Sequence, residues 1–366
     1  MKSLAKLKNS SLSFLYRRLA KPIFFRFDPE HIHKLTINFA SMLGKSSFGR
    51  ALTRTLFFFD DKSLSQKITG LEFPNPIGLA AGFDKNGRLK QILPELGFGF
   101  IELGSVTALP CAGNPGKRLW RLPEDRGLIV HLGLANDGCV AMLKQVQGQS
   151  PRIPVGISIA ATNCPETANE HEAIKDFLTS YSLFSKEKCS DYITINISCP
   201  NAFGGESFLE PDRLSRLLTA ISKARVFYSN TQPIFLKLST TLSDPELDKI
   251  IAIAREQAIS GFICSNLLKK HSPVGGVSGP LVKDQATDLI RRLYKKTGKE
   301  FIIIGCGGIS SAEDAYEKIK AGASLLQLIT ALIYEGPQLI SQINSGLVEL
   351  LHKDGYSSIS EAIGKE

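Results

Sequence analysis

The sequence predicts an α/β fold, a (β/α)8 TIM barrel preceded by an N-terminal helical extension. Two features predict it. From residue 70 onward, eight short apolar runs alternate with longer amphipathic stretches, and glycine-rich loops flank the seventh run. A doubly wound sheet would show a similar alternation, but the eighth run and the glycine-rich loops before it favour a closed barrel. At 366 residues, the chain is long enough for one such barrel.

The eight predicted strands are rich in β-branched residues, and glycine, proline or polar residues bound them. They are residues 76–82, 100–107, 154–161, 192–199, 234–239, 261–266, 301–308 and 325–330. Helical periodicity is clearest between strands at residues 211–226, 245–256 and 312–321. Ser310 or Ser311 is expected to cap the last of these helices.

The N-terminal residues 1–27 carry seven lysines and arginines and no acidic residue, and aromatic and aliphatic side chains are interleaved with the cations. This pattern predicts an amphipathic segment lying on an anionic membrane surface. Arg17 and Arg18 interrupt the apolar run, which argues against a secretory signal. A second helix is expected to begin at Asp28 and Pro29. Its predicted apolar face consists of Ile32, Leu35, Phe39, Met42 and Leu43.

These patterns divide the chain into two parts. We assign residues 1–65 to an N-terminal amphipathic helical segment that provides access to the membrane, and residues 66–366 to the barrel. The alternative is that the N-terminal helices only pack against the barrel.

The composition limits the classes of partner and cofactor. A net charge of +9 fits an anionic lipid, a phosphorylated ligand or nucleic acid, or simply a solvated basic surface. The seven cysteines include no C-x-x-C pair, which argues against zinc and iron–sulfur sites. An odd number without a secretory signal indicates reduced thiols in a cytosolic compartment. No apolar run is long enough to span a bilayer.

Polar residues at the ends of the predicted strands indicate a binding site at the barrel mouth, because the C-terminal strand ends of such barrels carry the site. Residues 192–201 pass from an apolar strand into amides and a thiol, a pattern that an ordinary turn would also explain. Lys237 lies between two leucines and should point into the barrel, where a charge needs a ligand or a carboxylate partner. Together with Lys85, it predicts a planar, anionic, hydrogen-bonding ligand.

Three segments near the C-terminus predict a phosphate site, although tight turns alone would also explain them. They are residues 275–279, which follow the sixth predicted strand, and residues 305–310 and 328–331, which end the seventh and eighth. Backbone N–H groups in glycine turns bind dianions, and barrels commonly hold a cofactor phosphate in this region.

Seven motifs form a specific set: F-D-P-E-H at 27–31, N-P-I-G-L-A-A-G-F-D-K-N-G at 75–87, G-F-G-F-I-E-L-G-S-V-T at 97–107, N-I-S-C-P-N at 196–201, G-G-V-S-G at 275–279, G-C-G-G-I at 305–309 and A-G-A-S-L-L-Q-L at 321–328. Over about residues 27–337 the chain resembles dihydroorotate dehydrogenase, in particular the membrane-associated, quinone-linked class. The resemblance implies an FMN-dependent oxidation of dihydroorotate to orotate in pyrimidine biosynthesis, with electrons passed to a quinone. It also implies a peripheral location on the cytoplasmic side of the cell membrane, with no nucleic-acid partner and no metal.

The resemblance also implies roles for individual residues. FMN contacts fall on Ala81, Gly82, Lys85, Ser105, Ser158, Asn196, Lys237, Ser265, Gly279, Gly307 and Thr330. Substrate contacts fall on Lys85, Asn196, Asn201 and Asn266. Cys199 is implied as the general base, and Lys237 as the cation that stabilises negative charge on the reduced flavin.

Some positions depart from the family pattern. Cys199 stands where the quinone-linked class usually has serine, and Ser158 replaces a flavin asparagine. Val130 replaces a substrate asparagine, and Leu267 replaces a substrate threonine. Residues 160–162 read Ala-Ala-Thr where the family usually has Gly-Lys-Asn. The flavin side is thus mostly retained, while the substrate side has lost polar groups.

Two alternative functions follow. The substrate-side changes suggest a diverged flavin barrel acting on another dihydropyrimidine-like compound. The net charge suggests an RNA-acting barrel of the dihydrouridine synthase type, but such a protein should carry a basic domain after the barrel. Here residues 336–366 form a short and nearly neutral tail.

Overall fold

The computed structural model describes residues 2–148, 151–198, 207–269 and 274–366. The helices in these ranges are α1 (Lys2–Leu15), α2 (Lys21–Phe24), α3 (Pro29–Lys45), α4 (Ser47–Phe57), α5 (Cys139–Val146), α6 (Glu170–Glu187), α7 (Pro211–Phe227), α8 (Asp244–Glu256), α9 (Lys283–Thr297), α10 (Ala312–Lys320), α11 (Thr330–Glu335), α12 (Leu339–Lys353) and α13 (Ile359–Ala362). The strands are β1 (Gln66–Ile68), β2 (Leu71–Phe73), β3 (Ile77–Leu79), β4 (Phe100–Val106), β5 (Leu119–Leu122), β6 (Gly127–Val130), β7 (Val155–Ile159), β8 (Tyr192–Asn196), β9 (Ile234–Leu238), β10 (Gly261–Cys264), β11 (Gly276–Ser278), β12 (Ile302–Cys306) and β13 (Leu325–Leu328).

Eight parallel strands form a closed barrel in the order β3, β4, β7, β8, β9, β10, β12 and β13. Leu326 of β13 pairs with Ile77 of β3, which joins the last strand to the first and excludes a doubly wound sheet. The predicted (β/α)8 barrel is confirmed, and every predicted strand is present, ending one to three residues earlier than predicted. The three predicted helices are α7, α8 and α10, and the Ser311 hydroxyl caps α10 by accepting from the Asp314 N–H at 3.2 Å.

Side chains alternate along the barrel strands between the interior and the surrounding helices. The interior floor is apolar and consists of Phe73, Phe100, Tyr192, Phe235, Ile263, Ile304 and Leu325. The β1–β2 hairpin closes this end, where the rings of Phe73 and Phe100 meet edge to face at 5.5 Å. Polar side chains further along the strands therefore face the opposite, C-terminal end.

A second sheet was not expected from the sequence. β5, β6 and β11 form a three-stranded antiparallel sheet beside the barrel. Residues 275–279 were predicted as a glycine turn, but Gly276–Ser278 form β11, because buried Val277 pairs with Ile129 of β6. Only Gly279, with φ +93°, retains the predicted turn character.

The N-terminal helices pack against the barrel through one side. The Asn9 amide donates to the Ser341 hydroxyl at 2.9 Å, and the Tyr16 hydroxyl donates to the Ile333 carbonyl at 2.8 Å. Arg17 pairs with buried Glu335. Asp28 caps α3 as predicted, its carboxylate accepting from two backbone N–H groups at 3.0 Å. Within the described ranges, every helix is too short or too polar to cross a membrane.

Candidate active site

One cavity of about 790 Å³ extends from the barrel mouth to the space between α3 and α4. Most predicted site residues line it: Ala81, Gly82, Lys85, Ser105, Asn196, Lys237, Ser265, Asn266, Gly279, Gly307 and Thr330. The volume lies in the range typical of cofactor and substrate pockets. Residues from all parts of the barrel sequence therefore converge on one site.

Asn196 and Lys237 reach this cavity because of strand alternation. Tyr192 and Phe235 belong to the interior floor, so Asn196 and Lys237, at even spacing along β8 and β9, also face inward. The two residues are register partners on neighbouring strands. Lys237 is only 4% exposed. Lys237 therefore points into the barrel, as the sequence predicts.

A chain of hydrogen bonds crosses the mouth and orients its amides. The Asn196 side chain donates to the Ser105 hydroxyl at 2.8 Å, and Ser105 shares a 2.8 Å hydrogen bond with Ser158. The Asn266 amide donates to the Ser198 carbonyl at 2.9 Å and to its hydroxyl at 3.0 Å. Each amide is thereby held in one orientation. Ser158 lies behind Ser105 and does not line the cavity.

Glycine backbones and hydroxyl groups line another part of the cavity. Gly279 and Gly307 have φ of +93° and +115°, which favour glycine. A Cβ on Gly279 would lie 2.9 Å from the Arg126 carbonyl oxygen, so glycine is also required by space. The Ser278 and Thr330 hydroxyls share a 2.8 Å hydrogen bond beside it. These groups suit an anionic, phosphate-like ligand.

A polar layer lies between the apolar floor and the mouth. Fully buried Glu102 accepts hydrogen bonds from Thr194 at 2.9 Å and from Gln327 at 3.1 Å. Burial raises the pKa of Glu102, and the positive charge of Lys237 opposes that rise. Glu102 had no role assigned from the sequence, although a carboxylate inside an apolar strand is a signal for a buried polar site. The inward direction of Lys237 predicts a ligand or a carboxylate partner; its charge acts on Glu102, and its side chain also lines the cavity.

The outer part of the cavity is mainly apolar and is lined by α3, α4 and the second sheet. Ile32, Leu35, Phe39 and Leu43 of the predicted α3 face contribute to it, whereas Met42 does not. Two polar residues in this part of the cavity, His33 and Arg121, had no role assigned from the sequence. The spacing of the α3 apolar face could have indicated His33, but Arg121 reaches the cavity only through the unpredicted sheet.

His33 and Arg121 both lie in a poorly hydrated setting. Burial, aided by the charge of Lys85, lowers the pKa of His33 to about 4, so this imidazole is neutral at pH 7. The His33 ring lies 4.9 Å from that of Phe83. Burial also lowers the pKa of Arg121, whose Nε has no hydrogen-bond partner among the described residues. A neutral imidazole and a guanidinium therefore border the outer part of the cavity.

An apolar patch faces the amides at the mouth. Val130 pairs with Gly276 in the second sheet. A Cβ on Gly276 would lie 2.5 Å from the Leu267 Cβ, which puts Leu267 directly against this strand. Both side chains line the cavity. The patch therefore offers a ligand no hydrogen bond from its side chains.

Two predicted site residues, Cys199 and Asn201, lie outside the described residues. Asp84 and Asn163 are polar residues that follow two other predicted strands. Asp84 does not line the cavity and accepts from the Arg88 and Leu89 N–H groups at 2.9 and 2.7 Å. Asn163 donates to the Asn114 side chain at 3.1 Å. Asp84 and Asn163 thus stabilise loops around the mouth.

Comparisons with known proteins agree with this arrangement. Residues 63–351 match the sequence profile of the family described as "Dihydroorotate dehydrogenase". A protein of Christiangramia forsetii named dihydroorotate dehydrogenase (quinone) is 38% identical over 343 residues, covering 92% of this chain and 99% of its own. A protein of Nostoc punctiforme with the same name is 37% identical over 378 residues, covering 96% and 98%.

Two solved structures are also similar to this chain in fold and sequence. The crystal structure of DHODH from Eimeria tenella in complex with ferulenol has a TM-score of 0.81 and 28% identity, covering 92% of this chain and 95% of that one. The ligand-free form has a TM-score of 0.80 and 29% identity. The chain therefore belongs to the dihydroorotate dehydrogenase family of oxidoreductases, which act on CH–CH groups.

Proposed function

We propose that the protein binds FMN, oxidises dihydroorotate to orotate in pyrimidine biosynthesis, and passes the two electrons to a quinone. One observation carries the proposal. A single cavity joins a polar barrel mouth to an apolar passage between the N-terminal helices. A polar substrate and an apolar electron acceptor could thus reach one cofactor from opposite ends.

The cavity fits FMN in both size and chemistry. Gly279, Gly307 and Thr330 would hold the phosphate through backbone N–H and hydroxyl groups. Ser105 and Lys237 would bind the ring system. When bound, the flavin supplies a two-electron acceptor beside the substrate.

The residues at the mouth would then bind and orient the substrate. Asn196 and Asn266 would hydrogen-bond its amide and carbonyl groups, and Lys85 would contribute a positive charge. Cys199 is proposed to remove a proton as the general base. Lys237 would stabilise negative charge that develops in the cavity.

The N-terminal helices are proposed to give quinone access from the cytoplasmic face of the membrane, where the protein would be peripheral. Residues 1–65 would form this segment, and residues 66–366 the catalytic barrel. Twelve of the seventeen exposed large apolar side chains among the described residues lie between Leu7 and Leu52. Such a concentration on basic, amphipathic helices is typical of a membrane-binding surface. His33 and Arg121 would contact the polar groups of the quinone within the passage.

The apolar patch supports a second candidate, a related flavin oxidation of another dihydropyrimidine-like compound. Val130 and Leu267 cannot hydrogen-bond a substrate through their side chains, and a missing hydrogen bond can change substrate choice strongly. A substrate with an alkyl group at this edge would fit the patch better than one with a polar group.

The test is to purify the protein, measure bound FMN, and follow flavin reduction by dihydroorotate, dihydrouracil and dihydrothymine separately. We expect about one FMN per chain and reduction by dihydroorotate, with reoxidation faster by a short-chain quinone than by fumarate. Reduction by dihydrothymine alone, and a gain of dihydroorotate activity in the Val130→Asn, Leu267→Thr variant, would favour the second candidate. A protein that takes up no FMN would refute both.

A further inference from the structure

The most unusual group of the barrel interior is the Glu102 carboxyl. Its side chain is 0% exposed. One oxygen, Oε2, accepts from the Thr194 hydroxyl at 2.9 Å and the Gln327 amide at 3.1 Å, and the Tyr192 hydroxyl lies at 3.5 Å. The other oxygen, Oε1, has no hydrogen-bond partner among the described residues. A buried carboxylate in such a setting is costly unless a positive charge lies close by.

Lys237 provides that charge. It faces inward from β9, it is nearly inaccessible, and its charge acts on Glu102. Gln327 links the two regions, because it donates to Glu102 and also lines the cavity. Glu102 therefore lies behind the cationic side chain and does not itself line the cavity.

Two other titratable side chains face Glu102. Tyr192 on β8 is fully buried, and burial, reinforced by Glu102, raises its pKa well above the usual value. Cys306 on β12 has its pKa raised by burial, with Lys237 and Glu102 acting in opposite directions. Both groups are neutral at pH 7, so Glu102 is the side chain among these three that can oppose the positive charge of Lys237.

We infer that Glu102 is a positioning residue that sets how much positive charge Lys237 presents to the cavity. An ionised Glu102 offsets the field of Lys237, whereas a protonated Glu102 leaves that field acting on the ligand. This inference rests on the proposed binding of FMN. It assigns a role to a side chain that touches neither cofactor nor substrate.

The consequence is a shift in affinity for the more negative form of the ligand. Glu102→Gln keeps the shape and removes the opposing charge, so reduced FMN, which carries more negative charge, should gain more affinity than oxidised FMN. We expect the ratio of the two dissociation constants to change about tenfold, equivalent to about 30 mV in midpoint potential for a two-electron couple. The difference in midpoint potential between the variant and the parent should be largest at high pH. It should disappear at low pH, where Glu102 of the parent is protonated.

The experiment is a redox titration of the FMN-loaded protein from pH 5 to 9 for the parent and Glu102→Gln. The potential of the variant should be more positive at high pH and converge with that of the parent at low pH. Asp176→Asn is a matched control, because this buried carboxylate is bound by Thr162 and Ala108, on the loops after β7 and β4, and Lys237 is not among its partners. Its potential should equal that of the parent.

Superimposable potentials of the parent and Glu102→Gln at every pH would overturn the inference. If Glu102→Gln does not fold, Thr194→Val removes one donor to the carboxylate and keeps the charge. That change should raise the pKa of Glu102 and move the pH dependence of the potential upward; an unchanged profile would equally overturn the inference. A parent that takes up no FMN would refute the proposed cofactor and this inference together.

Discussion

At the scale of single residues, strand alternation determines which side chains meet at the site. Asn196 and Lys237 face the cavity because Tyr192, four residues before Asn196, and Phe235, two residues before Lys237, belong to the interior floor. A shift of one residue in either strand would exchange these polar groups for the isoleucines and leucines that pack against the helices. The chemistry of the mouth therefore depends on residue order within strands of five residues.

The proposed general base gives a prediction at this scale. A cysteine has a reference pKa of about 8.5, far below that of a serine hydroxyl. Flavin reduction by substrate should therefore rise with pH and level off near the pKa of Cys199. Cys199→Ala should lose about 10²–10⁴-fold of that rate and keep FMN, whereas Cys199→Ser should move the profile to higher pH. Stopped-flow reduction at a series of pH values measures both effects. An alanine variant as fast as the parent would exclude Cys199 as the base.

At the scale of elements, α3 is tied to the second sheet by a charged pair. Glu30 in the first turn of α3 accepts from the Arg118 guanidinium, with one contact at 3.1 Å. Lys34 adds a second cation at 3.3 Å on the next turn of α3. The hydrogen bond from Arg118 is the main cause that lowers the pKa of Glu30 to about 2. This pair holds one wall of the apolar passage against the sheet that carries Val130.

Stability should therefore depend on the charge of Glu30. The pKa of Glu30 is lower in the folded protein than in the unfolded chain. Its contribution to the free energy of unfolding is therefore complete above about pH 4.5 and is lost as the pH falls toward 2. Glu30→Gln should lower the free energy of unfolding by about 1.5–3 kcal/mol at pH 7, and by less at pH 3. Urea unfolding of the parent and variant at both pH values measures this. Glu72→Gln, at an exposed position on β2, is the control; equal losses for both variants at pH 7 would contradict the prediction.

At the scale of the whole molecule, the N-terminal helices have one face that packs against the barrel and one that is exposed. One face packs against the barrel, where Arg17 from the N-terminus and Arg126 from the second sheet both pair with Glu335. The other face exposes large apolar side chains, including Phe14, Leu19 and Ile23. The N-terminal helices therefore pack against the barrel through one face and leave an apolar face exposed, and this exposed face is the one proposed to contact the membrane.

The exposed face should determine vesicle binding. Replacing Phe14, Leu19 and Ile23 by serine should reduce binding to anionic phospholipid vesicles in a sedimentation assay, because apolar area and basic charge act together in such binding. FMN content should not change, since none of the three side chains lines the cavity. Val226→Ser with Phe227→Ser, at two apolar side chains each 80% exposed on the C-terminal part of α7, is the matched control. Equal vesicle binding by the two variants would mean that the N-terminal face does not contact lipid.

The sequence by itself determined the barrel, most of the residues that line its mouth, the inward direction of Lys237 and the start of α3 at Asp28. The barrel, the direction of Lys237 and the helix start depend on local patterns, namely period-two alternation and a capping residue before a proline. The residues of the mouth follow from the strand ends together with the family motifs. Three features are visible only in the tertiary structure: the second sheet, the polar layer around Glu102, and the position of Arg121 beside the cavity. Glu102 and Gln327 are 225 residues apart, and Asn9 and Ser341 are 332 apart. Such contacts produce no periodic pattern in the sequence, because they form only when the closed barrel brings distant strands and helices together.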